Sequence, residues 1–546
     1  MESVPPSKMM TAETVSGLRQ RVADRALRDI PKLLTLQDRN PHSATYGCFD
    51  RNYWHYRIVD FPSGMTQEFV LPLALVWRYA IPGNSFHQQP AIREWVAAGI
   101  RFAASSAYAD GSCDDYFLYE KAAGAAVFSL YAAIRAIELC DLDADEFKPF
   151  LIRRGKWLAT HKESGRLGNH EALIANTLFR LADLTADGWF EEQARRRLER
   201  LTTWRSSEGW FTEYDGAEPG YLTLTIAMLA EIDHMRPNLS QRGPIAGAVR
   251  FLHEIQPPDG WLGGEWSSRN THNYFPHGVE LCADWLQEAC DLNTRAIQAL
   301  EVGPEYSDDR VVAHHCWSYL LTWLHWRDER PVPQPVGNGL SVFPEAGIVM
   351  ERRGNDALLL ATRKGGALRF YAKGRLVHAD TGISLRVGDG PTARIAVCHL
   401  TADDNTISVA PGSVVVSGAM AWAKTQRMTP LKQIGLRLFM MTIGRLDPDL
   451  VRKLLQRLLI VGRDIAPFRF RRTVEWSADG LLIEDTIEAL RGWSAVSTVG
   501  VGPAQGSIYT VMSKVWHPSQ LQLWEDLTDH KPQQPAREMK IRRRFG

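Results

Sequence analysis

Gly168-Asn169-His170-Glu171 stands just ahead of an amphipathic run and is the first stretch whose residue types suit chemistry. An amide and an imidazole at a helix N-terminus, helped by exposed N–H groups, can receive a carboxylate. The competing reading is a plain N-cap, which Asn provides well with an acid soon after. The second stretch, EYDGAEPGYL, sets Glu213, Tyr214, Asp215, Glu218 and Tyr221 among two glycines and a proline that fix the loop. Ionisable groups on a rigid turn point to a working site, and a structural tyrosine is the alternative. The third is GGEWSSRNTHNYFPHGVE, where Arg269, Asn270, His272, Tyr274 and His277 fall within nine residues, just after Trp266. A solvated loop rarely carries so many aromatics. The fourth, KGRLVHADTGISLRV, places His378 and Asp380 at the edge of an expected strand, a pairing that is also common on surfaces.

These groups need elements to hold them. Up to about residue 327 the apolar residues recur at helical spacing, as in AIREWVAAGIRFAAS, EALIANTLFRLADL, YLTLTIAMLAEIDHM and GVELCADWLQEACDL. A short loop recurs between them, ending at Gly111, Gly165, Gly209 and Gly260. Its period of roughly 50 residues matches two helices plus turns, the signature of stacked helical hairpins. Each glycine supplies the left-handed or tight turn such a loop requires. Equivalent loops gather at one end of a toroid, and a groove is expected there. Trp210 and Trp261 follow two of the glycines. The eighteen tryptophans suit either stacking against sugars or the core, and Trp210 and Trp266 are the candidates for stacking.

Residues 328–339, including RPVPQPVGNG, read as a linker. From 340 to 546 the pattern is β-like: ALLLATRKGGALRFYA and SVVVSGAMAWA read as strands. FRFRRTVEWSADGLLIEDTIEA reads as a hairpin turning at Asp479-Gly480. Residues 429–461 revert to helical spacing and are expected to be an insertion. The basic tail (Lys540, Arg542, Arg543, Arg544) is expected to be a solvated end. The expected architecture is an N-terminal (α/α) toroid over 1–327 and a C-terminal antiparallel β-sandwich.

A chain of 546 residues exceeds one ordinary core. Its 63 basic and 63 acidic residues cancel, so no global field draws it to nucleic acid, and an anionic substrate must be held by local charge in a cleft. Seven scattered cysteines without a C-x-x-C imply reduced thiols, a cytoplasmic setting and no zinc ribbon. The first residues contain no apolar signal-like core, and no run is long enough for stable membrane insertion. A P-loop is absent, and GVGPAQG (500–506) has the wrong spacing for a dinucleotide fingerprint. His314-His315 is an adjacent pair on an expected buried helix, and no cluster has metal-ligand spacing, so neither metal nor cofactor is expected. Oligomeric state is not legible.

The order of the four stretches resembles the heparinase II/III-like, alginate-lyase superfamily of polysaccharide lyases. DRNYWHYRIVDFPSGMTQE (50–68) and ADGSCDDYFLYEKA (109–122) are similar to segments near the groove in that family. The resemblance implies that Asn169 and His170 neutralise a uronic acid carboxylate and that Tyr221 is a general acid, often also the base. It also implies a catalytic His in an H-x-H-x-D motif of the sandwich. Here that motif reads Leu376-Val377-His378-Ala379-Asp380, so only its second His is kept.

The implied activity is β-elimination on a uronic-acid-containing glycan, in the production or processing of a bacterial surface polysaccharide. The C5 proton is weakly acidic, and neutralising the neighbouring carboxylate lets charge spread into it. Arg269 would help. One tyrosine serves as base and acid if elimination is syn; otherwise His378, His272 or His277 would act. Three alternatives remain open: a hydrolase using Glu213, Asp215 and Glu218, a uronyl C5-epimerase, and a non-catalytic glycan-binding factor.

Overall fold

The computed structural model of the chain describes residues 8–163, 165–214, 216–300, 305–306, 310–400, 405–423, 428–447, 464–502, 515–533 and 535–546. Six helices among them form an inner ring: Val70–Arg78, Ala123–Leu139, Gly168–Thr185, Pro219–Met235, Pro276–Cys282 and Val311–Leu324. Each packs on the next, and the last packs on the first, so the ring closes. Helices Pro90–Ser105, Ala144–Thr160, Gly188–Thr202, Arg242–Ile255 and Gln287–Ala299 return the chain on the outside, and Ala12–Leu27 backs the final inner helix.

The patterning explains which ring each helix joins. Ala123–Leu139 buries every residue except Arg135 and Glu138, as a helix surrounded by protein must. Gly188–Thr202 instead buries only Phe190, Ala194, Arg197, Leu198 and Leu201, a single stripe. Because an outer helix reverses the chain between successive inner ones, the inner helices run parallel and begin at the same end.

The recurring glycines lie in the loops that feed those beginnings. Gly111, Gly165, Gly209 and Gly260 all have positive φ, from 80° to 101°. Three also press on an outer helix: a Cβ on Gly209 would lie 2.5 Å from the Gly247 carbonyl oxygen, and Gly111 and Gly260 meet Arg154 and Arg295 backbone similarly. GVELCADWLQEACDL, expected as one helix, is two. Pro276–Cys282 ends on the inner ring and Gln287–Ala299 starts the outer, with the 283–286 turn held by Arg327 donating to the Ala283 carbonyl. The turn is short enough to preserve the apolar period.

Two antiparallel sheets follow. Gly339–Phe343, Ile348–Arg353, Asp356–Ala361, Ala367–Ala372 and Arg375–Asp380 form a five-stranded meander, and a nine-stranded sheet packs over it. The three central strands of the meander are buried on both faces, while the edge strands Gly339–Phe343 and Arg375–Asp380 are partly exposed. Val349, Leu358, Leu360, Leu368 and Phe370 join the core between the sheets, while Ile348, Met350, Ala357, Leu359 and Tyr371 join the toroid core. The hairpin Ile465–Ser477/Gly480–Ala489 turns where the sequence indicates, with Ser477 paired to Gly480.

The basic tail is solvated only in part, with Lys540, Arg542 and Arg544 exposed. It forms the strand Glu538–Phe545 beside Gly480–Ala489, and Arg543 is buried, donating to Asp380 and Asp485 at 3.0 and 2.9 Å. The expected insertion contains the helix Pro430–Phe439 and a π-helical turn Met440–Gly444, and residues 448–461 of it lie outside the described residues. The start of the expected linker is anchored: Arg330 is buried against Glu280, donates to Thr294 Oγ1 at 2.6 Å and stacks over Trp326.

Gly209→Ala should lower the unfolding free energy by about 2–4 kcal/mol, combining left-handed strain with overpacking. Urea unfolding of the purified variant measures this, and a loss below about 0.5 kcal/mol would contradict the close approach.

Candidate active site at the mouth of the helical ring

The second and third stretches come together where the inner helices begin. Glu213 is buried and accepts from two partners: the Asn169 side-chain amide at 2.7 Å and the Arg269 guanidinium at 2.8 Å. Arg269 in turn lies over two phenol rings, 4.2 Å from the centroid of Tyr221 and 4.8 Å from that of Tyr214. Tyr221 sits in the first turn of its helix behind Pro219 and also packs on Phe275. Tyr214 adopts φ of 60°, a left-handed conformation costly outside glycine, and its backbone N–H donates to the Arg166 carbonyl. Burial pushes the Tyr214 phenol up to about 12, although Arg269 acts against it. For Arg269, burial opposes the charge, but the two tyrosines, Glu213 and Glu218 together hold its pKa above the ordinary arginine value.

His170 lies beside this group. Its Nδ1 is 2.8 Å from Glu163 Oε2, and Gly124 opposite leaves room for the ring, since a Cβ there would lie 2.6 Å from His170 Cε1. Burial disfavours the imidazolium, but the charge and hydrogen bond of Glu163, with Glu213 beyond, outweigh it and raise the His170 pKa. A half-buried imidazole with a raised pKa, a guanidinium and parallel helix N-termini thus converge on a small region.

The N-cap reading of Asn169 does not hold. The cap position is Leu167, and Asn169 lies inside the first turn with its amide on Glu213, whose carboxylate also faces the Asn169 backbone N–H at 3.4 Å. Asn169 is fully buried, so it acts on the site through Glu213.

Other expected site residues lie elsewhere. Asn270 has φ of 55° and its Oδ1 is 3.4 Å from Lys364 Nζ. His272 is buried against Glu265 and stacks on His517 of the sandwich at 5.1 Å, while Glu265 binds Arg369 of the meander at 2.8 Å. This half of the third stretch holds the two regions together. Tyr274 donates to Asn293 of an outer helix at 2.6 Å and His277 pairs with Glu231 of an inner helix at 3.1 Å, both buried. Trp210 and Trp266 are buried, so neither offers a face to a sugar; Trp210 instead donates to Glu208 at 2.9 Å. His378 faces the space between the sheets, 3.1 Å from Asp380 and stacked on Phe545, and does not join Tyr221. Asp215 lies outside the described residues.

Several residues at the mouth escaped the sequence reading. Glu163 was visible only as part of a turn. His314 pairs with Glu68 at 2.5 Å and stacks on Phe128 at 4.2 Å, and Phe128 also meets His170 edge-on. Arg310 binds Asp115 at 2.8 Å and lies over Tyr116. Glu68 and Asp115 fall in the 50–68 and 109–122 segments, so those segments carried the signal. Lys364 reaches in from the sandwich to the Ser268 carbonyl at 3.3 Å, and burial, only partly offset by Glu218, lowers its pKa to about 8. Among the described residues, no group of three or more His, Cys, Asp or Glu could hold a metal ion.

No protein family and no curated protein matches the sequence. Solved structures do match. The chondroitin AC lyase of Streptomyces coelicolor A3 in complex with chondroitin sulphate is 11% identical, with a TM-score of 0.50 over 93% of this chain and 70% of that one. What the two share is the fold, a helical toroid followed by antiparallel sheets. A heparinase III matches at 10% identity and TM-score 0.42, over 90% of this chain and 73% of that chain. An unsaturated glucuronyl hydrolase mutant from Streptococcus agalactiae matches at 11% identity and TM-score 0.39, over 60% of this chain and 97% of its own.

Because the folded-state pKa of His170 is raised above 6.5, its ion pair contributes fully below that value and is lost as pH rises through the folded value. The stability difference between the parent and His170→Gln should therefore shrink steadily from pH 6 to pH 9. Urea unfolding at stepped pH tests this; a difference that grows with pH would reverse the assignment of charge.

Proposed function

We propose that the protein is a polysaccharide lyase that cleaves a uronic-acid-containing glycan by β-elimination. The observation carrying this reading is the Arg269 guanidinium over the Tyr221 ring, fixed from behind by Glu213. A cation against a phenol stabilises the phenolate and so prepares a tyrosine to exchange protons. In the proposed reaction Tyr221 removes the C5 proton of the uronic acid and protonates O4 as the C4–O4 bond breaks, a syn elimination. His170 and Arg269 neutralise the C5 carboxylate, so charge can spread into it as the proton leaves. Asn169 is a positioning residue that orients Glu213 and, through it, Arg269.

A hydrolase is less well supported by the geometry. It requires two carboxylates flanking the bond, but Glu213 and Glu218 are both buried. Glu213 holds Asn169 and Arg269, and Glu218 accepts from Thr271 and the Arg269 backbone N–H. Membership of the heparinase II/III-like group, a cytoplasmic setting and service in surface-polysaccharide production rest on the sequence resemblance and on seven cysteines that are buried and unpaired.

Incubation with a panel of polyuronates tests the reading. Ultraviolet absorbance from a C4=C5 unsaturated uronate is the expected result. New reducing ends without absorbance would mean a hydrolase, and solvent deuterium at C5 without cleavage an epimerase. Binding without either would mean a glycan-binding factor.

Tyr221→Phe keeps the ring on Arg269 and Phe275 but removes the proton-bearing oxygen, so turnover should fall about 100-fold or more with glycan binding retained. More than about a tenth of parental turnover would remove Tyr221 from proton transfer. Asn169→Ala should lower kcat more than it raises KM and also reduce stability by about 1–3 kcal/mol, since a buried carboxylate loses a donor. Lower stability with unchanged turnover per folded molecule would leave Asn169 purely structural.

A further inference from the structure

The helix Pro430–Phe439 has apolar residues on opposite sides, and only one side is covered by the described residues. Leu436 and Phe439 are half-buried and Met440 is buried, which docks the helix. On the far side Leu431, Ile434, Leu438 and Met441 are 82, 57, 60 and 51% exposed. At positions i, i+3, i+7 and i+10 they form one stripe. A helix with apolar residues on two opposite sides requires a second apolar environment.

The stripe has a neighbour. Arg437 binds Asp60 and lies 6.0 Å from the Phe61 ring, which places the helix beside the loop in which Tyr56 and Ile58 are 54 and 72% exposed. Arg445 extends the contact to Tyr119 at 5.7 Å. The charges are one-sided. Between Met428 and Leu446 the chain has Lys432, Arg437 and Arg445 and no acid, the loop adds Arg57, and Asp60 is taken up by Arg437. Asp447 follows only after the last turn.

We propose that this surface, the helix Pro430–Phe439 with its turn Met440–Gly444 and the loop 56–61, rests on a bilayer carrying anionic lipid. Aliphatic side chains beside cations enter the headgroup boundary while the cations meet phosphate. A second copy of the chain fits less well, because a two-fold contact would set these cations against themselves. Among the described residues no helix is long and apolar enough to cross a membrane, so the contact is peripheral. The proposal is independent of what the ring mouth catalyses.

The test is co-sedimentation of the full chain with vesicles of phosphatidylglycerol and phosphatidylcholine, against vesicles of phosphatidylcholine alone. Binding to the anionic vesicles should be about tenfold stronger or more and should fall with salt. The double variant Leu431→Asp/Leu438→Asp should lose that binding, whereas Leu523→Asp, at a residue 94% exposed elsewhere, should keep it. A second readout does not depend on the double variant folding. All seven native cysteines are buried, so Met441→Cys offers a selectively labelled thiol, and a polarity-sensitive dye there should shift to the blue with anionic vesicles. Absence of sedimentation, an unshifted dye, or a dimer in sedimentation velocity that the double variant abolishes would each overturn the proposal.

Discussion

The arrangement of the molecule depends on a sheet whose three central strands have no solvent face. Alternate residues of the five-stranded meander enter two different cores, one shared with the helical ring and one with the nine-stranded sheet. Because the meander contributes to both, the sandwich cannot slide over the ring without exposing apolar surface. The polar contacts across the same boundary are directional: Arg369 on Glu265, Arg352 on the Glu254 and Gln256 carbonyls, and Glu208 accepting from the Glu345 and Ala346 N–H groups. Burial supplies the attraction and the buried charges set the register. The ring mouth therefore faces a fixed wall, and Lys364 of that wall reaches the loop carrying Arg269.

Within the mouth the same logic recurs at smaller scale. A buried carboxylate without donors is costly, so Glu213 requires both Asn169 and Arg269. Those two partners come from the starts of different hairpins. Satisfying one buried acid thus fixes two loops against each other and holds the guanidinium over Tyr221. The left-handed backbone at Tyr214 and Asn270, on either side of this contact, shows strain held in place by the surrounding bonds.

The helical ring was legible in the sequence because its repeat is local: the 3.6-residue period and the glycine loops report on neighbours in the chain. Outer helices also show a single apolar stripe. The hairpin Ile465–Ser477/Gly480–Ala489 was legible for the same reason, with alternation on a sheet that has one wet face. The two-faced meander was less so: DALLLA is an unbroken apolar run, which identifies burial but not the two cores that share it. At the site, Tyr221, Arg269, Glu213, Asn169 and His170 were recognised as types within short motifs. The place of Asn169 was not, since whether an amide caps its own helix or binds a glutamate forty-four residues away is decided by packing. His378 and the two tryptophans went astray for a related reason. A residue type suited to a sugar site is equally suited to a core, and only tertiary burial separates them.

Ring closure has a consequence for how the chain reaches this state. The helices that seal the inner ring, Val70–Arg78 and Val311–Leu324, are separated by about 230 residues. Every other inner contact joins successive hairpins and can form as the chain emerges, whereas this one waits for the last hairpin. Until then the first inner helix, apolar on all sides, has an uncovered flank. Closure of the inner ring is therefore its most non-local contact, and the interval before it is when the ring is most prone to self-association.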